Sequence, residues 1–374
     1  MRLLHTADWH IGRRLHGFDL TAEQEHAFKQ IEAIALEAKV DGVIIAGDLY
    51  DRSLPSEQAV ALLNDMIQRL NLHDQLPIYA ISGNHDSAIR LATGAPWYQA
   101  TNYYLATELA QAFEPIELTD IQIFLLPYFE TFQAQQYFND PAIKNVAAAM
   151  ARIVTRMKTK FDADKRQILV AHFFADGSAT TDSETQLKVG GLGAIPVNLL
   201  QDFDYVALGH LHGKDALHAD NARYSGSPVK FSLSEAHQQK GVWLIDTADM
   251  SRTFKPLTPI NDVVQLTDSF AHLTDPDYYG QLKCDDYLGI TLTDTKPIVN
   301  VLARLREIYP NIISLERAQG YTTQVAMQTL DLAHKSPLDL LNDFYEHVAK
   351  EDLTEQQKQW AAAALKQANE VQQS

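Results

Sequence analysis

The chain has 374 residues, a formal net charge of −17, 46% hydrophobic and 21% charged residues, and a single cysteine, Cys284. That length suggests two or three domains of ordinary globular composition, and the acidic balance argues against a passive nucleic-acid binder, which carries an excess of Lys and Arg. One cysteine rules out an internal disulfide, Met1-Arg2-Leu3-Leu4-His5 leaves no room for a signal peptide, and no apolar stretch approaches the ~18–20 residues that span a bilayer, so a cytoplasmic protein is expected.

In chain order, residues 1–8 read as a strand, Thr21 to Lys39 as an amphipathic helix and Gly42–Gly47 as a second strand. A helix from about Ser56 to Leu70 and a strand at Pro77–Ser82 follow, a spacing that predicts right-handed β-α-β units. Ile121–Leu126, Gln167–Ala171, Asp204–Leu208 and Gly241–Ile245 are further strand candidates, and Ala142 to Phe161 has helical periodicity. The character changes after Pro256: strand Asp286–Leu292, helix Pro297–Ile308 and strand Asn311–Arg317 suggest a small second domain. Beyond it, Pro337 to Lys350 places Leu340, Leu341, Phe344, Tyr345 and Val348 on one helical face. Thr354 and Gln357 then form a capping-box pattern that opens a last helix.

Five short motifs each close an apolar run, so their side chains should project from strand tips. They are Asp8-Trp9-His10, Gly47-Asp48, Gly83-Asn84-His85-Asp86, His172, and Gly209-His210-Leu211-His212. Taken singly they are weak, because a D-x-H or H-x-H triplet arises often by chance and a lone strand-end histidine is more often structural. Open α/β sheets gather functional groups at the carboxyl ends of their strands, however, so five in this order should converge. Carboxylate, amide and imidazole together hold pairs of divalent cations, which points to metal-assisted hydrolysis of a phosphate ester.

Around the motifs, Arg13, Arg14, Arg52, Arg90 and Lys214 form either a basic rim for an anionic substrate or ordinary solvated surface. Trp9 either packs beside the first motif or stacks on a base. His5 is either a supporting residue of the site or a core residue. Gly190-Gly191-Leu192-Gly193 reads as a turn, and no G-x-x-x-x-G-K-[ST] occurs, so any ATP dependence must come from a partner.

The order D-x-H, G-D, G-N-H-D, H, G-H-x-H resembles the calcineurin-like metallophosphoesterase superfamily. Four segments, residues 5–12, 47–51, 83–87 and Tyr224-Ser225-Gly226-Ser227-Pro228, are similar to the SbcD-type nuclease subunits within it. The resemblance implies an α/β fold, a four-layer α-β-β-α sandwich over 1–255, with a small α+β capping domain over 256–330 and C-terminal helices over 331–374. It implies one metal held by Asp8, His10, Asp48 and His212, a second by Asp48, Asn84, His172 and His210, and manganese as the ion. His85 would act on the leaving oxygen without binding metal, and Asp51 would orient it through its other ring nitrogen. Some relatives carry histidine at the latter position, so Asp51 as a plain turn residue stays open. The implied activity is double-strand exonuclease and hairpin or single-strand endonuclease, in DNA repair, recombination and replication. The partners would be DNA, an SbcC-type ATPase docked on the C-terminal helices, and a second copy within a heterotetramer. A small-molecule phosphodiesterase or phosphatase on the same metal core is the alternative. The acidic balance favours it, and the residues beyond the core favour the nuclease. A non-catalytic DNA-end scaffold is a third class, opposed by the intact ligand positions.

Overall fold

The computed structural model describes residues 1–184, 193–318, 345 and 353–372. Residues 1–318 make one compact unit and 319–374 another. The first unit opens with β1 (Arg2–Thr6), a hairpin of β2 (Arg14–Leu15) and β3 (Phe18–Asp19), α1 (Thr21–Glu37), β4 (Gly42–Ala46), α2 (Glu57–Gln68) and β5 (Ile78–Ile81). It continues through short helices α3 (Ala88–Leu91) and α4 (Ala95–Tyr98) to β6 (Tyr103–Ala106), β7 (Ile116–Glu117), β8 (Ile121–Leu126), α5 (Thr131–Phe138) and α6 (Val146–Lys158). Then come β9 (Arg166–His172), β10 (Tyr205–Gly209), β11 (Ala222–Tyr224), β12 (Gly241–Asp246) and β13 (Ser251–Pro256).

These strands build two sheets, ordered β13-β12-β1-β4-β5-β6 and β11-β10-β9-β8-β7. The alternation of side chains along each strand decides the layers. In β4, Ile44 and Ala46 face the second sheet, while Val43 and Ile45 face the helices. In β9, Ile168 and Val170 meet the first sheet, and Leu169 and Ala171 point to the opposite core. With both faces covered, the central strands β4, β5 and β10 are buried along their whole length, whereas the edge strand β13 is largely exposed. On the first sheet α1 lays down Ala27, Phe28, Ile31 and Ala35, and α2 lays down Ala59, Leu63 and Met66. On the second, α6 buries Ala149, Met150, Ile153, Val154 and Met157. The result is the expected α-β-β-α sandwich.

Helix boundaries follow local chemistry. Ser56 Oγ accepts the amide of Ala59 to start α2, and Asn145 Oδ1 accepts that of Ala148 to start α6, later than periodicity alone suggests. Seven strands escaped the sequence reading: β2, β3, β6, β7 and β11, each four residues long or shorter, the largely exposed β13, and β14 (Val263–Asp268), whose mixed Val-Val-Gln-Leu-Thr-Asp pattern suits a half-exposed edge. Strand β14 pairs in parallel with β15 (Tyr287–Leu292), which pairs with β16 (Ile312–Arg317). Helices α7 (Phe270–Leu273), α8 (Pro276–Tyr279) and α9 (Val301–Arg306) pack on this small sheet. Leu15, Leu20, Phe231, Val263, Tyr287 and Ile313 join it to the sandwich in one apolar cluster.

In the second unit, the helix Glu355–Gln372 begins at a true capping box. Thr354 N donates to Gln357 Oε1 at 2.9 Å, and Gln357 N donates to Thr354 Oγ1 at 3.4 Å. The apolar stripe expected over 337–350 lies outside the described residues except for Tyr345, as does 190–192 of the glycine turn. Among the described residues no helix is long and apolar enough to cross a membrane.

Candidate metal centre

Strands β1, β4 and β5 run parallel in one sheet, and β9 and β10 run parallel in the other. Asp8 and His10 follow β1, Asp48 follows β4, Asn84 and His85 follow β5, His172 ends β9, and His210 and His212 follow β10. The loops are laced together: Asp8 N donates to Gly47 O at 3.1 Å, His10 N to Asp48 O at 2.9 Å, and His210 N to Asp8 Oδ1 at 2.9 Å. Asp8, His10, Asp48 and His210 all adopt positive φ, at 54°, 44°, 51° and 99°. Non-glycine residues enter that region at a cost and concentrate at functional sites.

All seven residues expected to bind metal come together. His10 Nε2 lies 3.2 Å from His212 Nε2 and 3.5 Å from Asp48 Oδ2. Asp48 Oδ2 is also 3.2 Å from His172 Nε2. Asn84 Oδ1 is 3.1 Å from His172 Nε2 and 2.9 Å from His210 Nδ1. Asp8-His10-His212 and Asp8-Asp48-His172 each offer three ligand atoms within 4.8 Å of one another. Asp48 touches both the His10 side and the His172 side, the position a bridging carboxylate needs.

The donor set fits divalent cations. Asp8 and Asp48 are buried, and among the described residues neither forms an ion pair with Lys or Arg. Burial pushes Asp8 well above the usual carboxylate range. Burial alone would also raise Asp48, but the imidazoles of His172, His10 and His85 hold it far below. Burial opposes charge on His172 too, yet the carboxylates of Asp48 and Asp8 lift it to about 9. Burial lowers His10 strongly and His210 to about 3. His172 Nδ1 donates to the Ala46 carbonyl at 2.8 Å, which turns Nε2 toward Asp48.

The remaining candidates divide. His85 N donates to Asp48 Oδ1 at 2.9 Å, and its Nδ1 donates to Asp51 at 2.8 Å, but to the main-chain carbonyl. The Asp51 carboxylate instead faces Arg13 at 3.4 Å, Arg52 at 3.4 Å and His10 Nδ1 at 3.8 Å. Arg13 is tied into the site wall, donating to Ser183 O at 2.7 Å and lying over the Phe231 ring. Arg52 and Arg14 are exposed, Arg14 beside Asp19 on the hairpin. Arg90 lines an apolar cavity with Trp97 and Leu54. Lys214 is paired with Asp215. Trp9 is buried against Phe28 with Nε1 donating to Thr6 Oγ1, so it packs. His5 is a core residue between the sheets, hydrogen-bonded to Tyr205 Oη and lowered to about 3 by burial.

Sequence reasoning missed several supports. The Asp86 carboxylate accepts the amides of Leu49, Tyr50 and Gly83, pinning the second motif to the third. Tyr224 Oη receives the Ala175 amide and donates to Phe173 O, holding the chain after His172. Gly226, at φ 74°, lies where a Cβ would meet His212 O at 2.6 Å. Glu235 and Lys240 form a buried pair behind His212. The motif Tyr224–Pro228 was visible as a resemblance, but only the fold shows what it grips.

The sequence matches the calcineurin-like phosphoesterase family over residues 1–214 and the type 5 capsule protein repressor C-terminal domain over 259–349. It is 31% identical over 360 residues to the SbcD subunit of the SbcCD nuclease of Staphylococcus epidermidis, spanning 96% of each chain. The crystal structure of TT1561 of Thermus thermophilus is similar with 12% identity and a TM-score of 0.41, over 68% of this chain and 98% of that one. YfcE, a phosphoesterase from E. coli, is similar with 11% identity and a TM-score of 0.27, over 69% and 98%.

Proposed function

The chain belongs to the calcineurin-like phosphoesterases and, within them, to the SbcD-type nucleases, and from that membership we propose that it is the metal-dependent nuclease subunit of an SbcCD-type complex. The observation that carries this reading is the meeting of seven ligand-type side chains, drawn from the ends of strands in two sheets, in one pocket whose carboxylates pair with no Lys or Arg among the described residues. Asp8, His10, Asp48 and His212 would hold one divalent cation, and Asp48, Asn84, His172 and His210 the other. Two such cations supply charge neutralisation of a phosphodiester and activation of water. The oxygen and nitrogen donors suit manganese, the ion we assign.

The protein's own groups do the rest. With Nδ1 of His85 committed to the Asp51 carbonyl, Nε2 is the nitrogen assigned to hold a proton for the leaving oxygen. Asp51 thus orients His85 through its main chain, while its carboxylate braces His10 and Arg13. Exposed Arg52 and Arg14, with Arg90 farther along the third motif's loop, are the groups assigned to the DNA backbone.

Residues 256–330 are assigned as the cap that shapes DNA access, and 331–374 as the segment that docks an SbcC-type ATPase. The exposed Trp360 on the last helix supports the docking assignment. A second copy of the chain, within a heterotetramer with the ATPase, completes the proposed assembly.

The test is cleavage of a hairpin-ended duplex by the purified chain with Mn²⁺, beside a chromogenic phosphodiester. Hairpin cleavage that disappears in Asp48→Ala supports the nuclease. Turnover of the chromogenic substrate alone, with and without the ATPase partner, would make it a small-molecule phosphodiesterase.

A further inference from the structure

His212 is held at three points by groups that no motif announces. Its amide donates to Glu184 Oε1 at 2.7 Å, and its carbonyl accepts from Lys240 Nζ at 2.9 Å. Its ring Nδ1 lies 2.6 Å from Ser183 Oγ. Ser183 Oγ in turn lies 2.5 Å from Glu235 Oε1, and Glu235 Oε2 lies 2.5 Å from Lys240 Nζ.

The direction of this chain of bonds follows from proton counting. Glu235 Oε1 is surrounded by donors, taking hydrogen bonds from Ser183 Oγ, Ser232 Oγ and the Phe231 amide, while Oε2 faces the Lys240 ammonium. A carboxylate so placed is ionised and only accepts. Ser183 has one hydroxyl proton, and it goes to Glu235. Ser183 Oγ must then accept at Nδ1 of His212, so the ring carries its proton on Nδ1 and presents the Nε2 lone pair to the pocket. That nitrogen is the one 3.2 Å from His10 Nε2.

We propose that Lys240, Glu235 and Ser183 form a fixed relay that sets the tautomer and aim of His212, making all three positioning residues for one of the two cations. This rests on the reading of His212 as a metal ligand. The relay is rigid because its loop is clamped on the far side. Lys230 Nζ pairs with Asp262 at 2.8 Å, and Leu233 lies so close beneath Gly289 that a Cβ there would meet it at 2.4 Å. Glu235 and Lys240 are both buried, so water cannot replace either partner. Hydrogen-bond partners of metal-binding histidines typically account for about 10- to 100-fold in affinity.

Two readouts on the full-length chain test it. The first is the imidazole ¹⁵N spectrum of histidine-labelled, metal-free protein, with His212 identified by its loss in His212→Gln. Wild type should show the Nδ1–H tautomer, and Ser183→Ala should shift the ring toward a mixture. The second is calorimetric titration with Mn²⁺ alone. Ser183→Ala should weaken one of two sites by about 10- to 100-fold and leave the other unchanged, while Ser183→Thr, which keeps the hydroxyl, should restore it. Glu235→Gln should act as Ser183→Ala does. Should it fail to fold, Glu235→Gln with Lys240→Met removes the unpaired ammonium and takes its place. An Nε2–H tautomer in wild type, or two unaltered sites in Ser183→Ala, overturns the relay. A wild type that binds no Mn²⁺ would defeat the functional reading instead, and the tautomer spectrum would still decide the relay.

Discussion

One methyl group at Gly209 should disable the centre without replacing a ligand. Gly209 ends β10 directly beside His172 of β9, where the two sheets meet. A Cβ at this position would lie 1.9 Å from the Ala46 carbonyl oxygen and 2.8 Å from His172 Nδ1, whereas real Cβ contacts stay above 3.0 Å. The nearest obstacle is the Ala46 backbone and the other is the buried His172 ring, so Gly209→Ala must part β10 and β4 by about 1 Å. Ala46 O is also the acceptor that aims His172 at Asp48, so the ligand moves with it. Overpacking of this kind costs about 1–3 kcal/mol, which in a unit of this size lowers Tm by on the order of 5 °C. A displacement of about 1 Å at a catalytic group lowers turnover by about 100-fold. Thermal melts, a metal count by plasma mass spectrometry and hairpin cleavage measure the three effects. Gly17→Ala is the control: φ is +93° but nothing lies within 4 Å, so only backbone strain of about 1 kcal/mol is expected, with metal and turnover intact. Wild-type metal content and turnover in Gly209→Ala would refute the steric argument.

Three further outcomes are expected. His85→Gln should lower kcat by about 100-fold or more with both cations still bound; loss of metal in that variant would make His85 a ligand. Asp51→Asn leaves the main-chain carbonyl in place, so turnover at saturating metal should stay near wild type while affinity on the His10 side falls by about 10-fold. A large kcat defect at saturating Mn²⁺ would return the orienting role to the carboxylate. Stability and metal affinity should respond to pH in opposite senses through His172. Its folded pKa of about 9 exceeds its ordinary 6.5, so it stabilises the metal-free protein fully below pH 6.5, and that contribution fades as pH rises through 9. Cation binding must expel the same proton, so affinity should climb with pH up to about 9. Calorimetry at pH 7 in buffers of different ionisation enthalpy counts that proton, and a count of zero contradicts the assignment.

The sequence by itself determined the order of the motif-bearing strands and the long helices between them, because apolar runs of period 2 and stripes of period 3.6 are local patterns. Gly42–Ala46, Arg166–His172 and Tyr205–Gly209 were legible in this way, and so was the placing of each motif at a strand end. The capping box at Thr354 was legible for the same reason. Only the tertiary structure decided that β12 and β13 extend the first sheet, since strand neighbours depend on contacts hundreds of residues apart. It alone also decided that Asp51 meets His85 through its carbonyl, and that Ser183, Glu235 and Lys240 stand behind His212. A main-chain oxygen leaves no mark on residue identity, and a buried Glu–Lys pair looks in sequence like any solvated one. What distinguishes them is the exclusion of water, and that arises only when the two sheets and the loop over 229–240 close on one another.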